Sequence, residues 1–181
     1  MEANFFELNK HTNIDNINSY FNPIYKGFDI GLLSEAGMPC IADPGSIIVN
    51  LAHKNNIRVI PLVGPSSILL ALIASGMNGQ NFAFHGYLPV SKNNRILKIK
   101  QLEKISFSEK QAQIFMETPY RNNQLLSDLI NTCNPNTMLS IASEICSKNE
   151  FIQTKTIAEW KKIIVPDLNK KPSVFVLQKI S

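Results

Sequence analysis

A chain of 181 residues, 44% hydrophobic and 18% charged, can bury a proper core as one domain or two small ones. Its formal charge of +4 and isoelectric point near 9.0 permit an RNA or other anionic partner without demanding one. The longest apolar run, 68–74, falls far short of the ~20 residues of a membrane-crossing helix, so no membrane partner is expected.

The first residues, Met-Glu-Ala-Asn-Phe-Phe-Glu, are acidic and hold no basic region ahead of an apolar stretch, which reads as no secretory signal and a cytoplasmic location. A helix is predicted over 14–25, ended by Gly27. Two short apolar runs, 29–33 and 57–63, read as strands, and each leads through a glycine- and proline-bearing turn into a helix, at 44–54 and 65–74. Strand, loop, helix, repeated, is the pattern of parallel βαβ units and an α/β fold. Both turns are then expected at the carboxyl ends of neighbouring strands, where open α/β sheets bind ligands.

Downstream, Gly76 and Gly79 end the second helix, and an extended stretch over 82–90 closes at a proline. A linker is placed there, dividing an N-terminal α/β domain over 1–80 from a C-terminal one over 92–181, with 81–91 between. The later order is a charged helix at 93–104, a strand at 113–117, a helix at 120–132 and a strand at 137–142. An extended piece at 151–154, a helix at 157–164 and a strand at 173–178 follow. Lys92, Arg95, Lys98, Lys100 and Lys104 among Ile96, Leu97, Ile99 and Leu102 suggest an amphipathic helix with a solvated basic side, phosphate contact being the alternative. Three scattered cysteines, Cys40, Cys133 and Cys146, lack metal-ligand spacing and read as free thiols, so no metal site is expected.

The two turns carry ligand-site logic. In Asp43-Pro44-Gly45, Asp43 is expected to cap a helix and Pro44 to take its first position. In Gly64-Pro65-Ser66-Ser67 the proline again suits the first helical position, leaving the amides of Ser66 and Ser67 to meet a ligand. The sequence contains no Gly-x-Gly-x-x-Gly, no P-loop, no His-Glu-x-x-His and no Gly-x-Ser-x-Gly.

Ser34-Glu-Ala-Gly-Met-Pro-Cys-Ile-Ala-Asp-Pro-Gly45 resembles the signature of the RsmI-type branch of the tetrapyrrole methylase superfamily, a set of S-adenosylmethionine-dependent methyltransferases. The likeness runs on through Gly64-Pro-Ser-Ser67, Ala74-Ser-Gly76, Phe84-His-Gly-Tyr-Leu-Pro89 and Phe115-Met-Glu-Thr-Pro-Tyr-Arg121. Glu35 stands where the signature has Asp, and Ala42 where it has Ser. The first strand and Gly-Thr-Pro-type loop of the family have no counterpart here, so the N-terminal domain is expected to be truncated or remodelled. The resemblance implies a two-domain tetrapyrrole methylase-like fold that holds S-adenosylmethionine in a cleft, and a homodimer. By position, Ala36, Gly37, Met38 and Ile41 would line the methionine side, Ser66 and Ser67 would touch the cofactor, and Glu117 and Thr118 would close over it. It implies Asp43 and Arg121 as architectural residues.

The reaction so implied is methylation of ribosomal RNA of the small subunit at a ribose 2′-hydroxyl, or alternatively of a tetrapyrrole or other small molecule. A hydroxyl acceptor needs a general base within about 3 Å, and Glu35, Glu117 and His85 are the candidates, His85 reading more as a packed hinge residue. A third reading, of another class, is a SAM-binding or dimerisation module without catalysis.

Overall fold

A computed structural model describes residues 4–9, 11–35 and 37–180. The chain divides into two compact units, Met1–Ser66 and Ser67–Ser181. This division falls earlier than the linker expected at 81–91, because the helix after Ser66 packs on the sheet of the second unit.

The first unit contains α1 (Ile14–Ser19), α2 (Asn22–Tyr25) and α3 (Ser46–Lys54). The single helix predicted over 14–25 is two, because Pro23 has no N–H to continue the ladder and instead sits at the start of α2. Gly27, at φ +85°, turns the chain out of α2 with its N–H on the Ile24 carbonyl. Ile17 and Phe21 are the buried apolar residues of this segment.

The strands predicted at 29–33 and 57–63 are absent, and no strand occurs among the described residues of the first unit. Both runs are apolar, and 57–63 is rich in β-branched residues, but a strand exists only where a neighbour takes its N–H and C=O groups. Without that ladder, Leu62 and Val63 are 80% and 106% exposed. The parallel βαβ arrangement expected for this half is corrected accordingly.

The second unit is built on one mixed sheet. Its elements are α4 (Ser67–Ser75), β1 (Phe82–Tyr87), α5 (Lys92–Glu109), β2 (Ala112–Met116), α6 (Asn122–Thr132), β3 (Met138–Ser143), β4 (Phe151–Thr156), α7 (Ile157–Trp160) and β5 (Ser173–Gln178). The strand order is β1-β2-β5-β3-β4, with β1 and β2 parallel and every other pair antiparallel.

Alternation along the central strands gives the sheet two apolar faces. Phe115, Leu139, Ile141, Phe175 and Leu177 pack with Leu125 and Leu129 of α6 and Trp160 of α7. Ile114, Ala142, Val174 and Val176 pack with Ala71 and Leu72 of α4. Phe115 and Phe175 are register partners with ring centroids 6.1 Å apart. Each such fully buried side chain contributes roughly 1.5–3 kcal/mol, and the first face buries Trp160 completely, its Nε1 donating to the Leu139 carbonyl at 2.9 Å.

Helix α5 outruns its predicted end because its buried stripe, Arg95, Ile99, Leu102 and Ser106, keeps helical spacing through polar residues. Ser106 Oγ accepts the Lys179 N–H at 2.9 Å, which ties that last turn to the end of β5. Helix α7 is shorter than its predicted 157–164: a capping box between Thr156 and Glu159 starts it, and only Ile157 and Trp160 bury. Among the described residues, no helix is long and apolar enough to cross a membrane, and no group of three or more His, Cys, Asp or Glu could hold a metal ion.

Candidate functional site

The turn before α3 is organised by one carboxylate. Asp43 Oδ1 accepts the backbone N–H groups of Cys40 and Gly45, both at 2.8 Å. This corrects the expected cap: Gly45 is the N-cap, with no side-chain capping bond, and α3 begins at Ser46, so Pro44 stands two positions ahead of the helix. Asp43 therefore shapes the loop rather than the helix end.

That loop is folded tightly. Gly37, Cys40 and Ala42 have φ of +74°, +70° and +60°. Glycine adopts such angles freely, whereas cysteine and alanine do so only under outside constraint, and such residues gather at ligand clamps. Gly45 is required for a different reason: a Cβ there would meet Asp43 Oδ1 and Leu32 Cδ2 at 3.0 Å and the Cys40 nitrogen at 3.1 Å. At Gly37 a Cβ would meet nothing within 4 Å, so its backbone lies open. Around it, Glu35 and Gly37 are exposed, Met38 is half-buried and Ile41 is exposed. Ala36 lies outside the described residues. Burial raises the Cys40 thiol, and the neighbouring Asp43 carboxylate raises it further.

Helix α4 opens at Ser67, so Pro65 precedes its first turn and does not occupy it. Ser66 is half-buried and Ser67 exposed.

In the second unit, the loop leaving β2 centres on Glu117, which is 4% exposed. Its Oε2 accepts the Thr118 N–H and, at 2.8 Å, Nη2 of Arg121, while its Oε1 is buried without a partner. Nε of Arg121 and Oδ1 of Asn122 are likewise buried and unpartnered. The loop backbone is fixed elsewhere: the Lys170 N–H donates to the Pro119 carbonyl, and Asn122 Nδ2 to that of Lys171. The turn thus holds a buried carboxylate with one oxygen unpartnered, half-buried Thr118 beside it.

His85 lies where the β1–β2 register shifts, between Phe84 and Tyr87, with Gly86 at φ +63°. Its Nε2 is 2.7 Å from Gln113 Oε1. Gln113 spends its Nε2 on the carbonyl and Oε1 of Gln111, so its own Oε1 must accept and His85 Nε2 carries the proton. Burial lowers the His85 pKa, the Gln113 bond opposes that, and Lys98 on α5 lowers it further. The imidazole is thus locked to the sheet.

The left-handed residues Cys40 and Ala42, the partner of His85 and the open atoms of the 117–122 loop were not legible in the sequence. No residue type marks them, since each is a property of a fold-dependent angle or contact. The loop residues 35–41 belong to the first compact unit and Glu117 and Thr118 to the second.

No protein-family model matches the chain. It is 31% identical over 172 residues to the ribosomal RNA small subunit methyltransferase I of Vibrio cholerae, a match covering 95% of this chain and 58% of that protein. It is 37% identical over 158 residues to the protein of the same name from Buchnera aphidicola subsp. Schizaphis graminum, covering 86% and 54%. The chain therefore spans less than two thirds of these curated relatives' length. Among solved structures, the methyltransferase CobJ is similar with a TM-score of 0.60 at 15% identity, over 91% of this chain and 70% of that one. The cobalamin biosynthetic enzyme cobalt precorrin-4 methyltransferase CbiF gives 0.57 at 10% identity, over 93% and 72%.

Proposed function

We propose that this chain, a homologue of the ribosomal RNA small subunit methyltransferase I enzymes with the tetrapyrrole methylase fold, serves an S-adenosylmethionine-dependent methyltransferase acting on ribosomal RNA. The observation that carries the reading is the 31% identity across 95% of the chain, a span that takes in both the 34–45 loop and the 117–121 turn. RNA is favoured over a tetrapyrrole or other small acceptor because likeness to the solved methyltransferases CobJ and CbiF is at 10–15% identity and speaks for the fold alone.

The residues present fit such a cofactor. Gly37, with open backbone at a left-handed angle, lets a ligand approach the main chain, and the buried, unpartnered Glu117 Oε1 accepts from an amine or hydroxyl only where the turn moves to expose it. In this reading the cofactor-binding residues of the first unit are Ala36, Gly37, Met38, Ile41 and Ser66, and those of the second are Ser67, Glu117 and Thr118. The bound group supplies an activated methyl on a sulfonium.

The protein's contribution is mainly alignment, since positive charge disappears along the in-line path and little needs to be stabilised. A ribose hydroxyl must also lose a proton, and Glu117 or Glu35 takes it. Glu117 has one oxygen fixed by Arg121 and the Thr118 amide and the other without a partner, but its side chain is withdrawn from solvent, so the turn must open for it to act. Glu35 is exposed. The enzyme works in the cytoplasm as a homodimer, the location and assembly that the family likeness supports.

Calorimetric titration of the chain with S-adenosylmethionine tests cofactor binding; a folded chain that gives no heat at high micromolar cofactor points to a non-catalytic module. Labelled cofactor incubated with small ribosomal subunits from a strain lacking the activity tests the acceptor. Label in small-molecule fractions and none in RNA would remove the RNA assignment.

A further inference from the structure

Between Asp43 and Glu103 the chain has no aspartate or glutamate, while Lys54, Arg58, Lys92, Arg95, Lys98 and Lys100 all fall there. In the second unit this imbalance has a shape. A groove of about 390 Å³ runs between α5 and α6, with Lys92 and Lys100 on one wall and Ser127, Asn131 and Thr132 on the other. Two helical turns and more separate the lysines, about 12 Å along the axis, so their ammonium groups can meet different anionic groups. Among the described residues neither lysine is in an ion pair.

The groove holds one acid, Asp128, and its charge is already met. Arg95, buried beneath, donates to Asp128 Oδ2 through Nε at 2.7 Å, and its Nη2 lies 2.6 Å from the same oxygen. Removing that pair from the sum leaves two positive charges facing hydroxyl and amide groups. Lysine, serine, threonine and asparagine are the side chains that contact phosphate and sugar oxygens. No aromatic ring lines the groove, so it offers no platform for stacking an unpaired base.

We infer that the α5–α6 groove is a contact surface for the sugar-phosphate backbone of RNA, holding a duplex in position without reading its bases. The inference rests on the proposed action on RNA, and it adds where the RNA lies and what part of it is touched. Lys92 and Lys100 each neutralise one phosphate. Ser127, Asn131 and Thr132 meet sugar or phosphate oxygens between them. An acidic protein segment would satisfy the lysines but gain little from the hydroxyl and amide wall.

The test is the salt dependence of binding of a fluorescently labelled RNA duplex to the full chain, between about 50 and about 200 mM salt. Each phosphate contact contributes about 0.7–0.9 to the slope of log K against log salt. Lys92→Ala with Lys100→Ala should lower the slope by about 1.4–1.8. The paired Lys→Arg changes should restore it, and Lys148→Ala with Lys162→Ala, away from the groove, should leave it nearly unchanged. The same slope in the groove variant, equal loss in the control pair, or equal binding to polyglutamate overturns the inference, as does a wild-type chain that does not bind RNA. Cofactor titration on the same samples separates the two readings. Cofactor heat with an unmoved RNA slope removes the groove alone, and a lowered slope without cofactor heat keeps the groove and removes the methyltransferase.

Discussion

Arg95 Nε donates to Asp128 Oδ2 across 2.7 Å, with both side chains withdrawn from solvent, and so joins α5 to α6. The same guanidinium donates through Nη1 to the Val90 carbonyl at 2.7 Å, which fixes the turn between β1 and α5. Breaking a buried pair by deleting one member costs more than the pair contributes, because an uncompensated charge remains. Asp128→Ala should therefore destabilise the second unit by about 3–5 kcal/mol. The double change Arg95→Met with Asp128→Leu should recover most of that. Trp160 is the only tryptophan and is fully buried in this unit, so denaturant unfolding followed by its fluorescence reads the effect. Equal losses in the single and double variants would show that the cost is packing and not charge.

Gly45 and Asp43 form the second test. Gly45→Ala drives a methyl against Asp43 Oδ1 and Leu32 at 3.0 Å, so the loop must open to accept it. Asp43→Ala leaves the amides of Cys40 and Gly45 without their shared acceptor, at roughly 1.5–3 kcal/mol for hydrogen bonds to a charged group. Both variants should weaken cofactor binding in calorimetric titration while leaving Trp160 fluorescence unchanged, since that ring lies in the other unit. Wild-type affinity in both would remove the 34–45 loop from the site.

The second unit was legible because its central strands are continuous apolar runs, such as 174–177, bounded by polar residues. Ile114 and Val176 on one face, Phe115 and Phe175 on the other, already carry the pairing that the register realises. The run 57–63 has a similar composition, but no neighbouring strand takes up its backbone groups. The end of α5 was hidden because the stripe there is finished by Ser106, a polar residue buried through a bond to a distant backbone. At the candidate site, glycines 37 and 45 were visible, but the roles differ: one needs its angle, the other its missing methyl. The reach of Asp43 to Cys40 depends on a loop closure that no spacing rule describes.

Glu117→Gln keeps the shape of the side chain but removes the charge that Arg121 faces and the capacity to take a proton. If Glu117 is the base, methyl transfer to RNA should fall by 10²-fold or more, within the usual range for general acid–base catalysis. Cofactor affinity should change far less. Arg121→Lys keeps a cation but loses the planar donor, and should lower activity less than the glutamine change. A Glu117→Gln enzyme with full turnover would transfer the proton-accepting role to Glu35, testable in the same assay by Glu35→Gln.

His85 makes stability depend on pH. Burial holds its folded pKa below the ordinary 6.5, so above that pH the ring is neutral in both states and contributes no slope. As pH falls through 6.5 the unfolded chain takes up the proton first, and stability is lost until the folded pKa is reached. Lys98, on α5, is the charge that faces it and acts in the same direction. His85→Gln should flatten the part of the melting-temperature profile below about pH 6.5 that this ring supplies. An unchanged profile would assign the acid sensitivity to other groups.

The three thiols should separate by reactivity. Cys133 is buried against the α6 core and its pKa is pushed up to about 12, mainly by that burial and then by the Glu103 carboxylate. Reaction requires the thiolate, so at neutral pH Cys133 should be inert until the second unit unfolds. Cys146 is exposed on the β3–β4 turn and should react first. Cys40, half-buried and raised by burial and Asp43, should follow slowly. If the 34–45 loop holds the cofactor, saturating S-adenosylmethionine should slow Cys40 further while leaving Cys146 unaffected. Mass-spectrometric counting of maleimide adducts over time gives each rate. Protection of Cys146 in place of Cys40 would put the ligand on the other compact unit, at the β3–β4 turn.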